Sequence, residues 1–268
     1  MSFAVAVALL VLAGLGALWW WQERIVFQPP RVVALDPRTA PLAYAAPDGH
    51  PLLGYLVGPP SPDAPLVLAF HGNADLAVWL LPWARELQAR TGASVLLAEY
   101  RGYAGLPGSP SYHASALDAR AALDFARESL GVPLPRIVIF GHSLGSAIAA
   151  ELAAQFPPAA LVLQSPFSSA RDMSRRFVLP AIPGVWPLIS RVHFDTVARV
   201  QQLPSPLFVA HGDRDRTVPT RMGPQVFFAA RNPGELLIVP GAGHIDVPDI
   251  AGQSYWDWIG HALAHARP

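Results

Sequence analysis

A serine held between two glycines, Gly141-His142-Ser143-Leu144-Gly145, is the first pattern in this 268-residue chain whose residue types could do chemistry. The apolar run Ile137-Val138-Ile139-Phe140 precedes it and the small-residue run Ser146-Ala147-Ile148-Ala149-Ala150 follows it. Alone, G-x-S-x-G occurs by chance. Between a strand and a helix it makes a sharp, strained turn that needs small flanking residues. Such a turn lifts the serine hydroxyl above the sheet edge, at a helix N-terminus where developing negative charge is favoured. The competing reading is a tight turn without chemistry, and the strand–turn–helix context weighs against it.

A serine hydroxyl is a weak nucleophile at neutral pH and needs a base, with an acid to orient that base. On a scaffold of this kind the acid and then the histidine follow the serine along the chain. After the apolar run Leu207–Ala210 comes His211-Gly212-Asp213-Arg214-Asp215-Arg216-Thr217-Val218-Pro219, where two aspartates compete. After Leu236–Val239 comes Gly241-Ala242-Gly243-His244, whose histidine is either the base or an exposed loop residue. His71, His142 and His211 also lie beside strand ends, where structural hydrogen bonding is their simpler role. The oxyanion formed on attack needs two fixed N–H donors. Leu144, next after the serine, would supply one. Asn73, in Phe70-His71-Gly72-Asn73-Ala74, would supply the other, or would cap the helix beginning near Asp75, or both.

Converging these groups requires several strand ends on one edge of a sheet. Leu42–Ala46 and Pro51–Val57 flank Asp48-Gly49, a hairpin signal. Strands are expected at Leu66–Phe70, Ser94–Ala98, Arg136–Phe140, Ala160–Leu163, Pro206–Ala210 and Leu236–Val239. Helices are expected at Ala77–Arg90, Ala114–Leu130 (stopped by Gly131), Ser146–Gln155 and Tyr255–His265. The alternation predicts an α/β fold with a mainly parallel eight-stranded sheet and helices on both faces. Residues 166–203, apolar and proline-rich, break the rhythm; they form either a short lid over an apolar site or an irregular helical insertion that fills a gap in the core.

Composition removes other classes of chemistry. There is no cysteine, which excludes disulfides, thiolate metal sites and cysteine nucleophiles. All 19 basic side chains are arginine, so P-loop and Schiff-base lysines are excluded. A formal net charge of zero gives no electrostatic case for nucleic acid, and the serine chemistry needs no metal or cofactor. With 52% hydrophobic and 14% charged residues, the chain suits a dense core plus a membrane segment.

That segment is expected at the start. Phe3 to Trp21 carries no charge, and its 19 residues would span about 28 Å as a helix, close to the hydrocarbon thickness of a bilayer. Trp19, Trp20 and Trp21 close the run like an interfacial belt. A cleaved signal peptide lacks support, because no basic residues precede the run and the tryptophans spoil the cleavage zone. The expected organisation is a single-pass transmembrane anchor over residues 1–24 and one domain over 25–268. Arg24, Arg31 and Arg38 all follow the span, which favours a cytoplasmic body.

The motifs together resemble the α/β-hydrolases of the bud-emergence-protein-46 type, the abhydrolase-domain proteins, from about Ile25 to the C-terminus. The resemblance rests on Phe70-His71-Gly72-Asn73-Ala74, Tyr100-Arg101-Gly102-Tyr103, Pro110-Ser111, Gly141–Gly145, Ser165-Pro166-Phe167-Ser168-Ser169, Gly212-x-x-Asp215-x-x-Val218-Pro219 and Gly241–His244. It implies Ser143 as nucleophile, Asp215 and not Asp213 as acid, His244 as base, and Asn73 with Leu144 as oxyanion donors. It also implies carboxylester or thioester hydrolysis, and the expected anchor and apolar insertion suggest a hydrophobic acyl substrate near a membrane surface. Ala104-Gly105-Leu106, Tyr112 and Asp75-Leu76 depart from the usual family pattern, and Asp75 would put a carboxylate near the oxyanion loop. The rival readings are a non-catalytic membrane-attached scaffold, which would have no need of all three groups, and a serine peptidase or acyltransferase using the same three.

Overall fold

The computed structural model describes residues 3–30, 32, 36–61, 63–177 and 190–266, side chains at 4, 6, 8, 176 and 177 excepted. Its centre is one eight-stranded sheet. The strands are β1 (Leu42–Ala45), β2 (Pro51–Val57), β3 (Leu66–Phe70), β4 (Ser94–Ala98), β5 (Ile137–His142), β6 (Ala160–Gln164), β7 (Leu207–Gly212) and β8 (Pro233–Val239). Their order is β1-β2-β4-β3-β5-β6-β7-β8. β1, β2 and β4 pair antiparallel and every other neighbour is parallel. Every residue of β3, β4 and β6 is buried, which explains why they read as continuous apolar runs and not as alternating ones.

Helices cover both faces. On one side α2 (Leu81–Thr91) packs against the C-terminal helix Gln253–Ala264, and the Trp83 indole N–H donates to the Tyr255 hydroxyl at 3.1 Å. On the other side lie α3 (Tyr112–Asp124) and α4 (Leu144–Gln155). Ser111 caps α3 by accepting the Ala114 N–H. The predicted continuation of α3 to residue 130 winds instead as a π turn, Phe125–Ser129, before Gly131 reverses it at φ +71°. Four further helices follow: α5 (Ala170–Phe177) and α6 (Thr196–Val200), in the insertion for which helical structure was one expectation, and α7 (Met222–Ala229) and α8 (Val247–Ala251), which were not anticipated; the C-terminal helix is therefore α9. α5 and α6 belong to the 166–203 insertion, whose two arms meet at a Ser169–Asp195 bridge. Residues 178–189, which include most of the apolar side chains expected in a lid, lie outside the described residues.

The first helix, α1, runs from Phe3 to Val26, and its large apolar side chains, among them Leu10, Leu12 and Trp19–Trp21, are exposed. Among the described residues no helix is long and apolar enough to cross a membrane, so the single-pass anchor expected from the sequence is without support in the fold. The end of α1 is seated on the body. Gln22 Oε1 accepts the Arg191 N–H at 2.6 Å, Glu23 pairs with the Arg191 guanidinium at 3.0 Å, and Phe27 is buried beside Phe194.

Candidate active site

The chain leaves β3 and β5, adjacent parallel strands, at the same edge, and β4 lies on the far side of β3. That reversal of strand order opens a crevice at the carboxyl ends of β3 and β5. Ser143 sits there, at φ 53° and ψ −115°, a conformation that strains any residue with a Cβ. The turn closes so tightly that a side chain on Gly145 would overlap the Phe70 and His71 carbonyls, and one on Gly141 would overlap the Gly145 backbone. Close packing, more than torsional freedom, thus fixes glycine at both places. The Ser143 N–H donates to the Gln164 carbonyl at 3.0 Å, tying the turn to β6.

Two strands further on, the loops after β7 and β8 bring in Asp215 and His244. The Ser143 Oγ lies 2.9 Å from His244 Nε2, and His244 Nδ1 lies 2.7 Å from Asp215 Oδ2. An ionised carboxylate can only accept, so Nδ1 carries the proton and Nε2 is free to take one from the serine. Asp215 Oδ1 accepts the Thr217 and Val218 N–H groups, each at 2.8 Å, and Oδ2 has His211 Nε2 at 3.1 Å as a second neighbour. Burial pushes the Asp215 carboxyl up, but the bonds from His211 and His244 outweigh it and hold the group well below the usual carboxylate range. Asp213 is exposed and acts elsewhere. Its Oδ1 accepts the Gly241 N–H at 2.7 Å, pinning the glycine loop that carries His244.

The His244 carbonyl is held as well. His142 Nε2 and Ser165 Oγ each donate to it at 3.1 Å. His142 lies behind the elbow, where burial and then the neighbouring His244 push its pKa down to about 4, so its ring is neutral. Ser165 reaches the carbonyl from another non-glycine position with positive φ, +50°.

The loop after β3 packs against the nucleophile, since a Cβ added at Gly72 would stand 3.5 Å from Ser143 Cβ. Among the described residues, the N–H groups of Asn73 and Leu144 have no hydrogen-bond partner, the state an oxyanion hole requires. A buried pair stiffens this loop. His71 Nε2 donates to Glu99 Oε1 at 2.6 Å and Nδ1 to the Gly72 carbonyl at 2.8 Å. Both ring nitrogens face acceptors. Burial would lower the His71 pKa, but Glu99 more than offsets it and raises it. Glu99 also accepts the Ala77 and Tyr100 N–H groups at 3.0 and 3.1 Å. The Asn73 side chain caps no helix: Glu99 and Asp75 take the first N–H groups of the following turn, at Ala77 and Leu76. Burial, partly offset by His71, raises the Asp75 carboxyl.

The structure therefore brings Ser143, His244 and Asp215 into one relay and sets the Asn73 loop and Leu144 beside it. Sequence reasoning missed the supporting residues Glu99, Tyr103 and Ser165, and missed that His211 stands beside the acid. The visible signals were a charged residue at the end of an apolar strand, Glu99, and the places of Tyr103 and Ser165 within the motifs that carry the family resemblance. Among the described residues no cluster of His, Cys, Asp or Glu is arranged to hold a metal ion.

The doubly covered sheet, the elbow after β5 and the loops after β7 and β8 define an α/β-hydrolase architecture. A family model described as the alpha/beta hydrolase fold matches residues 65–186, and the chain belongs to that family. It is 34% identical over 265 residues to an uncharacterized protein of Mycobacterium tuberculosis, covering 95% of this chain and 92% of that one. It is 28% identical over 274 residues to the alpha/beta hydrolase domain-containing protein WAV2 of Arabidopsis thaliana, covering 92% and 89%. Among solved structures, an esterase of Pyrococcus furiosus superposes with a TM-score of 0.71 at 18% identity, over 91% of this chain and 98% of the other.

Proposed function

We propose that this protein is a serine hydrolase that cleaves carboxylic ester or thioester bonds of a hydrophobic acyl substrate. The observation that carries the reading is the unbroken relay from Ser143 Oγ through His244 to Asp215, with bonds of 2.9 and 2.7 Å. Ser143 attacks the acyl carbonyl as His244 Nε2 takes its proton. Asp215 stabilises the imidazolium and keeps it in register, and the Asn73 and Leu144 N–H groups receive the oxyanion. His244 then protonates the leaving alcohol or thiol. Water cleaves the acyl-enzyme by the same route. The proton transfers are met by side chains of this chain and the oxyanion by its backbone N–H groups.

A scaffold without catalysis would have no reason to keep the acid so firmly ionised or both oxyanion donors free. A peptidase or acyltransferase would share the relay and differ in the acceptor admitted. The test is labelling of the purified protein with a fluorophosphonate, beside Ser143→Ala, together with turnover of nitrophenyl esters, thioesters and peptide amides. Labelling lost in the variant, with ester or thioester turnover, is expected. A folded wild type that neither labels nor turns over any of these would overturn the reading in favour of the scaffold.

We also propose that α1 attaches the protein to a lipid surface, because its apolar side chains stand exposed around the helix, Trp19–Trp21 included. Flotation of the full chain with liposomes tests this; a protein that stays in the aqueous fraction, while Leu10→Arg behaves no differently, sinks it.

A further inference from the structure

The segment leaving α1 is bonded to the loop that carries Asn73. The Asn73 carboxamide makes three hydrogen bonds. Its Oδ1 accepts the Gln28 N–H at 2.8 Å and the Tyr103 hydroxyl at 2.9 Å, and its Nδ2 donates to the Val26 carbonyl at 2.7 Å. The Gln28 N–H can only donate and the Val26 carbonyl can only accept, so a flipped amide would lose both backbone bonds, and these fix its orientation. Tyr103 is fully buried, which fixes its hydroxyl.

The strap itself is held on both sides of these bonds. Phe27 lies between the two bonded residues and is buried, its ring centroid 6.3 Å from that of Phe194. One turn earlier, Gln22 and Glu23 engage Arg191, whose guanidinium also lies 4.9 Å over the Trp19 ring. The bonds from Asn73 reach residues 45 and 47 positions away along the chain, so local turn geometry does not call for them.

We propose that Asn73 is a positioning residue whose side chain ties the oxyanion loop to the Val26–Gln28 strap, so that the seating of the end of α1 on the body sets how well the oxyanion hole is formed. The inference rests on the hydrolytic reading above. The backbone N–H is the donor and the carboxamide fixes its direction. A misaligned donor weakens binding of the transition state more than that of the ground state, so kcat falls while KM changes little.

The experiment compares full-length wild type, Asn73→Ala, Phe27→Ala and the double variant on a short-chain nitrophenyl ester. It also measures the rate of reaction with a fluorophosphonate, in which Ser143 Oγ bonds phosphorus, fluoride leaves and His244 takes the hydroxyl proton. Asn73→Ala keeps the backbone donor. It should lower kcat and the phosphonylation rate by roughly 10- to 100-fold, less than outright removal of an oxyanion donor, with KM changed by less than about threefold. Phe27→Ala should lower kcat by about tenfold, and the double variant should be no slower than Asn73→Ala, because both act through the same bonds. Tyr103→Phe removes one donor and keeps the ring; its partial loss of kcat, about three- to tenfold, keeps the test open should Phe27→Ala fail to fold. A folded Asn73→Ala with kcat within about twofold of an active wild type refutes the inference alone, as do single effects that multiply in the double variant. A wild type inert to both esters and fluorophosphonate removes the hydrolytic reading and this inference together.

Discussion

Replacing His142 by glutamine should make the fold less sensitive to acid. The imidazole is half-buried, its Nε2–H donates to the His244 carbonyl, and the two rings stand 5.1 Å apart. Its pKa is pushed down from 6.5 to about 4. In the unfolded chain the ring titrates near 6.5, as an ordinary histidine does. Between those values the unfolded chain holds a proton that the folded chain lacks. Stability therefore rises with pH, and is lost as pH falls from about 6.5 toward about 4, below which the folded protein binds the proton too. Between about pH 7.5 and about pH 5 the loss from this one group is about 2 kcal/mol.

Glutamine can keep an N–H directed at the His244 carbonyl and does not titrate. Urea unfolding of both proteins at the two pH values gives the result directly. Wild type should lose about 2 kcal/mol more than His142→Gln on acidification, while the two differ by no more than about 1 kcal/mol at the higher pH. Equal pH dependence would refute the claim that this histidine is held neutral, and greater acid sensitivity in the variant would reverse its sign.

Asp215→Asn should lower kcat/KM by about 10³- to 10⁴-fold, because an amide can present its N–H to His244 and favour the wrong tautomer. Asp213→Asn should stay within about tenfold of wild type, since Asp213 only pins the Gly241 N–H; ester kinetics on both variants decide between the two aspartates. Asp118→Ala should destabilise the fold by about 3 kcal/mol in urea, because it strips the buried Arg101 of one of its two carboxylates and leaves only the Asp48 pair at 2.6 Å. A loss below about 1 kcal/mol would mean that Asp48 alone neutralises the guanidinium.

The central parallel strands were legible because burial on both faces writes a strand as an unbroken apolar run, as in Leu66–Phe70 and Ala160–Leu163, and the first two because Asp48-Gly49 marks their hairpin. The elbow and the His244 loop were legible because tight turns at strand ends leave glycines in the sequence. What stayed hidden depends on contacts between distant positions. α7 begins Met222-Gly223-Pro224, which reads as a loop; Gly223 is required there because a Cβ would press into the His211 ring. Asp213 and Asp215 sit two residues apart on one loop, and only the fold turns one toward His244 and the other toward Gly241. The Glu99 pairing with His71, and the grip of Asn73 on Val26 and Gln28, leave no periodic trace.

Function is written most plainly where the backbone is least comfortable. Four described non-glycine residues have positive φ: Ala74, Ala104, Ser143 and Ser165. Three of them follow β3, β5 and β6, past the carboxyl ends of those strands. Strain of this kind, about 1–3 kcal/mol at each residue, persists only where surrounding contacts enforce it. Ser143 permits a clean measurement, because Ser143→Ala and Ser143→Gly both abolish the hydroxyl and differ only in the Cβ that φ 53°, ψ −115° disfavours. Glycine relieves the strain but adds about 0.4–1 kcal/mol of conformational entropy to the unfolded chain. The balance leaves Ser143→Gly more stable than Ser143→Ala by about 1 kcal/mol, or roughly 2–4 °C in Tm for a protein of this size. Scanning calorimetry of the two inactive variants reads that difference. If Ser143→Ala is instead the more stable of the two by about 0.4–1 kcal/mol, the entropy term alone accounts for the difference, the elbow is not strained, and the serine would be held out over the crevice by packing alone.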